Sequence, residues 1–245
     1  MKLLAFATRN SKEILRDPLN LALGIGFPLV VLFLLTAIQA NIPVDLFVIE
    51  KLIPGIAVFG LSFISIFSGM LLAKDRGTSF LMRLFTTPLT ASDYIIGYTL
   101  PLFPMAILQI AISFLAAFFL GLEINLKILL SIIMLMPTAI LFIGIGLLVG
   151  SLFNEKQVSS ICGALLTNLS AWLSGTWFDL NLIGGWFKAI SYALPFAHAV
   201  DAGRAALAGD FTAILPHLWW VIGYAVVILV VSILVFRKKM SGDNQ

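Results

Sequence analysis

Apolar and polar residues follow one another along this chain in long blocks. An α-helix needs about 20 mostly apolar residues to cross the hydrocarbon core of a membrane, and blocks of this kind recur six times, at residues 19–38, 52–73, 94–120, 128–150, 158–178 and 218–236. A transmembrane barrel would instead show short segments of alternating hydrophobicity. The pattern predicts an all-α membrane protein with six transmembrane helices in a single domain, residues 1–245.

Composition supports the same fold class. The 245 residues are 60% hydrophobic and 11% charged, and the mean hydropathy is +1.07, which leaves too few polar residues to cover a soluble globule. No small-residue cleavage site follows the first apolar block, so we interpret it as a retained span and not a signal peptide. The single cysteine, Cys162, lies inside an apolar block and excludes a disulfide within the chain.

Basic residues predict the orientation. If the N-terminus is inside, eleven of the fifteen Lys and Arg residues fall in inner segments. The outer ones are Lys51, Lys127, Lys188 and Arg204. Because inner loops carry the excess of positive charge, we expect a multi-pass protein of the cell (plasma) membrane with both termini in the cytosol.

Two polar segments are too long to be simple turns. Residues 1–17 mix apolar and basic side chains and end before Pro18, which predicts an amphipathic helix in the inner interface; a disordered basic lead-in is the alternative. Residues 179–217 are rich in aromatic and apolar residues. They predict helical pieces that either lie along the outer leaflet or re-enter it, and the spacing does not separate these two arrangements.

The predicted spans carry no ionisable residue near their centres. Ion-coupled transporters usually need such groups, so proton or sodium coupling is disfavoured. The fifth predicted span is rich in small and hydroxyl-bearing residues, which indicates either close helix packing or a substrate path or subunit interface. For the substrate path we select Thr167, Asn168 and Ser170.

Two further function classes remain open at this stage. A passive channel would need no energy source. An intramembrane enzyme would centre on "HAVDAGR", where His198, Asp201 and Arg204 recur every three residues and can share one helical face. No HExxH, GxSxG or acidic metal-binding cluster accompanies them, so a solvated or interfacial helix face is the simpler interpretation.

The inner segment 74–93, "KDRGTSFLMRLFTTPLTASD", is the longest polar interruption in the first half of the chain. After Gly77, apolar residues at helical spacing predict a short helix with one apolar side, and Pro88 ends it. Thr90 and Asp93 then have the spacing of an N-terminal cap for the third span. The apolar side can pack on the chain's own spans, lie among lipid headgroups, or enter a groove on a partner.

A resemblance distinguishes these options. The stretch "KDRGTSFLMRLFTTPLTASDYIIGY" resembles the cytosolic signature of the ABC type 2 permease family, the membrane subunits of ATP-binding-cassette exporters. The matching residues are Asp75, Arg76, Gly77, Arg83, Pro88 and Gly97. A second similarity lies in "LSGTWFDL" and "ISYALPFAHAVDAGRAALAGD". It rests on Ser174, Gly175, Pro195, His198, Asp201, Arg204 and Gly209. The segment "WFDLNLIGG" departs from the family, whose members often carry prolines there.

The resemblance implies the permease subunit of an exporter. An apolar, uncharged passage suits an amphipathic drug, a lipid or a lipid-linked molecule, with a polysaccharide as the rival substrate. The resemblance also implies a coupling helix that docks on a separate ATPase, a second permease chain of identical sequence, and two ATPase copies that hold ATP and Mg. The chain itself would hold no cofactor and no metal, and it has no phosphate-binding GxxxxGK[ST] loop. The residues assigned to docking are Phe80, Leu81, Arg83, Leu84 and Phe85, with Lys74, Asp75 and Arg76 positioning the helix.

Overall fold

The computed structural model describes residues 2–78 and 89–242, and within these ranges it contains helices and irregular segments but no β-strand. The helices are α1 (Lys2–Leu15), α2 (Pro18–Gln39), α3 (Ile49–Gly77), α4 (Ala91–Phe119), α5 (Leu126–Leu152), α6 (Glu155–Val158), a π-helical segment (Ser159–Leu166), α7 (Thr167–Leu173), α8 (Leu180–Ile183), α9 (Gly185–Ala193), α10 (Pro195–Ala208) and α11 (Phe211–Gly242).

Among the described residues, five helices are long and apolar enough to cross a membrane: α2, α3, α4, α5 and α11. They coincide with five of the six predicted spans. The remaining predicted span, 158–178, is instead a continuous helical run of α6, the π-helical segment and α7, followed by irregular backbone. The all-α membrane fold is confirmed, and the sixth span stays a prediction.

Helix α3 lies at the centre of the bundle and packs against α2, α4, α5, α10 and the π-helical segment. Its closest neighbour is α5, because glycines on both helices let the backbones touch. A Cβ atom on Gly146 would overlap Ser68 and the Ser65 carbonyl, and one on Gly150 would lie 3.0 Å from the Gly69 Cα. Gly146 and Gly150 therefore allow α5 to pack closely against α3 within one chain.

Hydroxyl groups add polar contacts between helices. Ser68 donates to the Ile143 carbonyl of α5 at 3.1 Å, and Ser232 of α11 donates to the Gly144 carbonyl at 3.1 Å. Ser131 of α5 donates to the Gly203 carbonyl of α10 at 3.0 Å. Such bonds contribute modestly to membrane helix packing, and these three join α3, α10 and α11 to the same helix, α5.

The bundle has two distinct ends. At one of them, which we call the α1 end, α1 packs against α4 and α2 close to where α3 stops. At the opposite end, the chain between α7 and α11 forms the helices α8, α9 and α10. Gly184 and Gly185 join α8 to α9 with positive φ values of 64° and 53°, a backbone conformation that favours glycine. The last helix starts at Phe211, earlier than the predicted Leu218.

Candidate functional site

The described part of the predicted docking segment is built around one carboxylate at the α1 end. Asp75, in the last turn of α3, is 2% exposed. Arg9 of α1 donates from both terminal nitrogens to the two Asp75 oxygens, at 2.6 and 2.8 Å, and Tyr98 of α4 donates its hydroxyl to Oδ2 at 2.8 Å. We call these three residues the Asp75 network. A single charged group thus joins three helices.

Arg9 keeps its positive charge within the Asp75 network. Burial by itself lowers the pKa of Arg9, but the hydrogen bond and the negative charge of Asp75 act in the opposite direction, and the pKa is raised. Arg9 is therefore protonated at any physiological pH. Bidentate Arg–carboxylate bonds fix orientation as well as distance, so this pair fixes the angle of α1 relative to the end of α3.

Packing around the network holds α1 against α4. The buried ring of Phe6 contacts the rings of Tyr94 and Tyr98 edge-on, with centroids 5.6 and 4.9 Å apart. Asn10 donates to the Gly97 carbonyl at 3.1 Å, and a Cβ atom on Gly97 would collide with the Phe6 ring. Gly97, selected from the sequence only as part of a family pattern, therefore has a steric reason to be glycine.

The other two predicted positioning residues also bind helices of the same chain. Lys74 forms an ion pair with Glu13 of α1, Nζ to Oε1 2.9 Å. Arg76 donates to the Gly150 carbonyl at the end of α5, at 2.7 Å. Cations favour the carbonyl end of a helix, so Arg76 is well placed there. The three consecutive residues 74–76 thus tie the end of α3 to α1, α4 and α5.

The predicted helix itself lies outside the described residues. Phe80, Leu81, Arg83, Leu84 and Phe85 all fall within 79–88, and their docking role stays a prediction. The residues that follow this segment are described, and Thr90 caps α4 as the sequence predicted. Its hydroxyl accepts from the Asp93 N–H at 3.3 Å, and its own N–H donates to the Asp93 carboxylate at 2.8 Å. Residues 79–88 thus lie between the end of α3, which ion pairs hold in place, and the capped start of α4.

The predicted substrate-path residues separate into two groups. Thr167 and Asn168 line an open cleft of about 720 Å³ bounded by α2, α3 and the run from the π-helical segment to α7. Ser170 is buried and does not line it; its hydroxyl donates to the Thr167 carbonyl at 3.0 Å. We call this cleft the aromatic groove, because rings dominate its lining: Phe27, Phe59, Phe63, Phe67, Trp172 and Trp177.

The helical run beside this groove contains a feature that the sequence did not predict. Residues Ser159–Leu166 form a π-helix, and Thr167 donates its hydroxyl to the Cys162 carbonyl five residues earlier, at 2.9 Å. Wider π-turns occur frequently at functional sites. Gly163, within the π-helical segment, and Asn168 both line the groove, so the irregular turn is part of its wall.

At the opposite end, the "HAVDAGR" side chains hold helices together. Arg204 of α10 donates to the carbonyls of Lys51 at 2.9 Å and Gly175 at 2.8 Å, and burial lowers its pKa. Tyr192 donates its hydroxyl to Asp201 at 2.8 Å, and burial first, then this carboxylate, raise the pKa of Tyr192 to about 12. These contacts favour the structural interpretation of the motif over the enzymatic one.

His198 completes this cluster. Its Nε2 lies 2.9 Å from the Tyr192 carbonyl, which only accepts, so neutral His198 carries its hydrogen there. Its Nδ1 lies 2.7 Å from Nδ1 of His217 on α11 and accepts from it. Burial lowers the pKa of His198. The described residues contain no group of three or more His, Cys, Asp or Glu side chains that could hold a metal ion.

Fold and sites together define a polytopic α-helical membrane protein whose described ion pairs lie at the two ends of the bundle. Comparison with known proteins narrows this class: residues 1–208 match the ABC-2 type transporter family. The chain therefore belongs to that family, as its sequence resemblance predicted, and it is a membrane transport permease. Permeases of this family generally pair with an ATP-binding-cassette ATPase.

Two relatives carry the name "Putative transport permease ycf38". The protein of Porphyra purpurea is 28% identical over 211 residues, which cover 82% of this chain and 72% of the relative. The protein of Pyropia yezoensis is 26% identical over 230 residues, covering 88% and 78% respectively. The family and the name of both relatives indicate a transport permease.

Proposed function

We propose that this chain is the permease subunit of an ATP-driven exporter that moves an amphipathic or lipid-like substrate out of the cytosol. Two copies of the chain and two ATPase subunits, which hold ATP and Mg, form the working unit. The run Glu155–Leu173 with the residues after it forms the sixth span. The α1 end of the bundle and both termini then face the cytosol.

The observation that carries the proposal is the Asp75 network. Residues 79–88 begin four residues after Asp75, the carboxylate that holds α1, α3 and α4 together. A push on this segment would therefore reach three helices at once. The apolar positions Phe80, Leu81, Leu84 and Phe85, with Arg83 beside them, suit insertion into a groove of the ATPase.

Energy coupling follows from differential binding. ATP shifts the permease between two conformations only if the ATPase binds the two conformations with different affinity. The contact at residues 79–88 would supply this difference, and the contacts of Lys74, Asp75 and Arg76 would transmit it to α1, α4 and α5. The aromatic groove, with Thr167 and Asn168 on its wall, supports an apolar or amphipathic substrate.

The test is a mild-detergent purification of the tagged chain from its native membrane, followed by mass spectrometry. We expect an ATPase of the cassette type to co-purify, and Leu84→Asp to remove it because a carboxylate cannot enter an apolar groove without a large desolvation cost. Leu46→Asp is the matched control, since Leu46 is exposed and lies between α2 and α3. Purification of the intact chain without any ATPase would favour a passive channel instead.

A further inference from the structure

A second cleft lies at the α1 end, and we call it the α1 cleft. It has a volume of about 940 Å³ and is bounded by α1, α2 and α3, with contributions from Met105 and Glu155. Its α1 side carries Arg9, Lys12 and Arg16, whereas its α3 side carries Phe67, Met70 and Leu71. A cleft with one charged and one apolar wall suits a ligand that is itself amphipathic.

The charged wall has two cations available. Arg9 and Lys74 are in ion pairs with Asp75 and Glu13. Lys12 and Arg16 are exposed, lie four residues apart in the sequence, and their side chains form no ion pair with any described residue. Of the remaining carboxylates, Asp17 has an interaction of its own, and Glu155 is attracted to Lys74. Lys12 and Arg16 are therefore the cations of this wall that an anionic group of a ligand can pair with.

The α1 cleft adjoins the aromatic groove. Phe67 and Met70 line both of them, so the apolar wall of the one continues into the other along α3. A molecule with its charged end at Lys12 and Arg16 can pass its apolar part over these two side chains. The apolar part then reaches Trp172 and Trp177, which line the groove.

We propose that the α1 cleft and the aromatic groove form one binding site for an anionic phospholipid. The phosphate lies at Lys12 and Arg16, and the acyl chains follow Phe67 and Met70 into the groove. A small soluble anion would leave the apolar wall unused, and an uncharged lipid would leave the two cations without a partner. This inference rests on the proposed function, which assigns the aromatic groove to an amphipathic substrate, and it names the lipid class that the groove takes. Because binding is measured without ATP or an ATPase, it can fail while the ATPase still co-purifies.

Tryptophan quenching by brominated lipids tests the site on the full chain reconstituted in phosphatidylcholine nanodiscs. Replacing Trp186, Trp219 and Trp220 by Phe leaves Trp172 and Trp177 as reporters. In titrations over the same range of mole fractions, we expect brominated phosphatidylglycerol to reach half-maximal quenching at about a ten-fold lower mole fraction than brominated phosphatidylcholine, because basic residues near the surface attract anionic lipids. Equal quenching by the two lipids would overturn the proposal.

The charge requirement is tested by Lys12→Gln with Arg16→Gln. We expect this double variant to abolish the preference for phosphatidylglycerol. The matched control is Lys156→Gln with Lys238→Gln, which removes the same charge from exposed residues that do not line the cleft, and it should keep the preference. An equal loss in both double variants would show general attraction to the surface and would overturn the site.

The path of the chains is tested by Gly163→Leu. A Cβ atom there has an ordinary contact with Ile66, at 3.6 Å, and Gly163 lines the groove, so the leucine side chain takes up part of its space. We expect it to reduce quenching of the two tryptophans by phosphatidylglycerol. Unchanged quenching in this variant would contradict the path. Shielding of both tryptophans from both lipids without this substitution would overturn the proposal, because another chain then covers the groove.

Discussion

At the scale of single residues, the α1 end depends on the carboxylate of Asp75. Its two oxygens take up three hydrogen bonds from Arg9 and Tyr98, and it is almost fully buried. A buried ion pair need not stabilise a protein relative to apolar packing, but removal of one partner is costly because the other charge is left behind. The pair therefore fixes where α1 lies more than it raises stability.

Asp75→Asn tests this view. The amide cannot accept both Arg9 bonds as a carboxylate does, and Arg9 is 35% exposed, so water recovers part of the loss. We expect destabilisation of about 1–3 kcal/mol, measured as a lower melting temperature of the purified protein. Glu123→Gln, at an exposed residue outside the network, should change little. Equal melting temperatures for the two variants would contradict the role of the network.

His198 predicts a pH dependence at the opposite end. Burial lowers its pKa below the ordinary value of 6.5, so the unfolded state binds the proton more tightly than the folded state does. The stabilising contribution is therefore complete above pH 6.5 and is lost as the pH falls through the lowered pKa. We expect melting temperatures between about pH 7.5 and 5 to fall more in the wild type than in His198→Gln. Identical slopes would refute the assignment.

At the scale of helices, the position of α3 depends on close contact with α5. Gly150 lies against the backbone of Gly69, and a backbone cannot move aside as a flexible side chain can. Gly150→Ala should therefore separate the helices and cost about 1–3 kcal/mol. Gly223→Ala in α11 is the control, because a Cβ atom there meets nothing within 4 Å. Comparable thermal stability of both variants would contradict this packing.

The sequence predicts helices well where hydrophobic length decides them. Five predicted spans correspond to long apolar helices, and the Thr90–Asp93 cap is present because capping depends on residues three apart. The π-helical segment was not predictable, since its wider turns do not follow from the apolar pattern. The contact of Arg9 with Asp75, 66 residues away along the chain, was not predictable either. The sequence showed only an arginine in an amphipathic helix and an aspartate at the end of a span.

The residues of the candidate site were likewise predicted only in part. Thr167 and Asn168 were selected because polar groups at membrane depth are rare, and they share the groove. Ser170 was selected for the same reason and proved to bond its own helix backbone. Residue type alone does not distinguish a hydroxyl that lines a path from one that satisfies a carbonyl. Phe6, Asn10 and Tyr98 were missed because their roles arise only from tertiary contacts.

At the scale of the whole molecule, the two ends of the bundle are held in different ways. The α1 end is joined by ion pairs around Asp75 and Glu13, whereas the opposite end is joined by Arg204 to backbone carbonyls of two segments. Under the proposed function, the α1 end is where the ATPase acts. In this account, movement begins at residues 79–88 and passes through the Asp75 network.

The most direct test is site-specific photo-crosslinking in the native membrane. A benzoylphenylalanine placed at Phe85, with the same group at the exposed Phe119 as control, is irradiated and its adducts are identified by mass spectrometry. We predict that position 85 crosslinks to an ATPase of the cassette type and that position 119 does not. Adducts at position 85 only with lipid or with this chain itself would contradict the coupling of the permease to an ATPase through this segment.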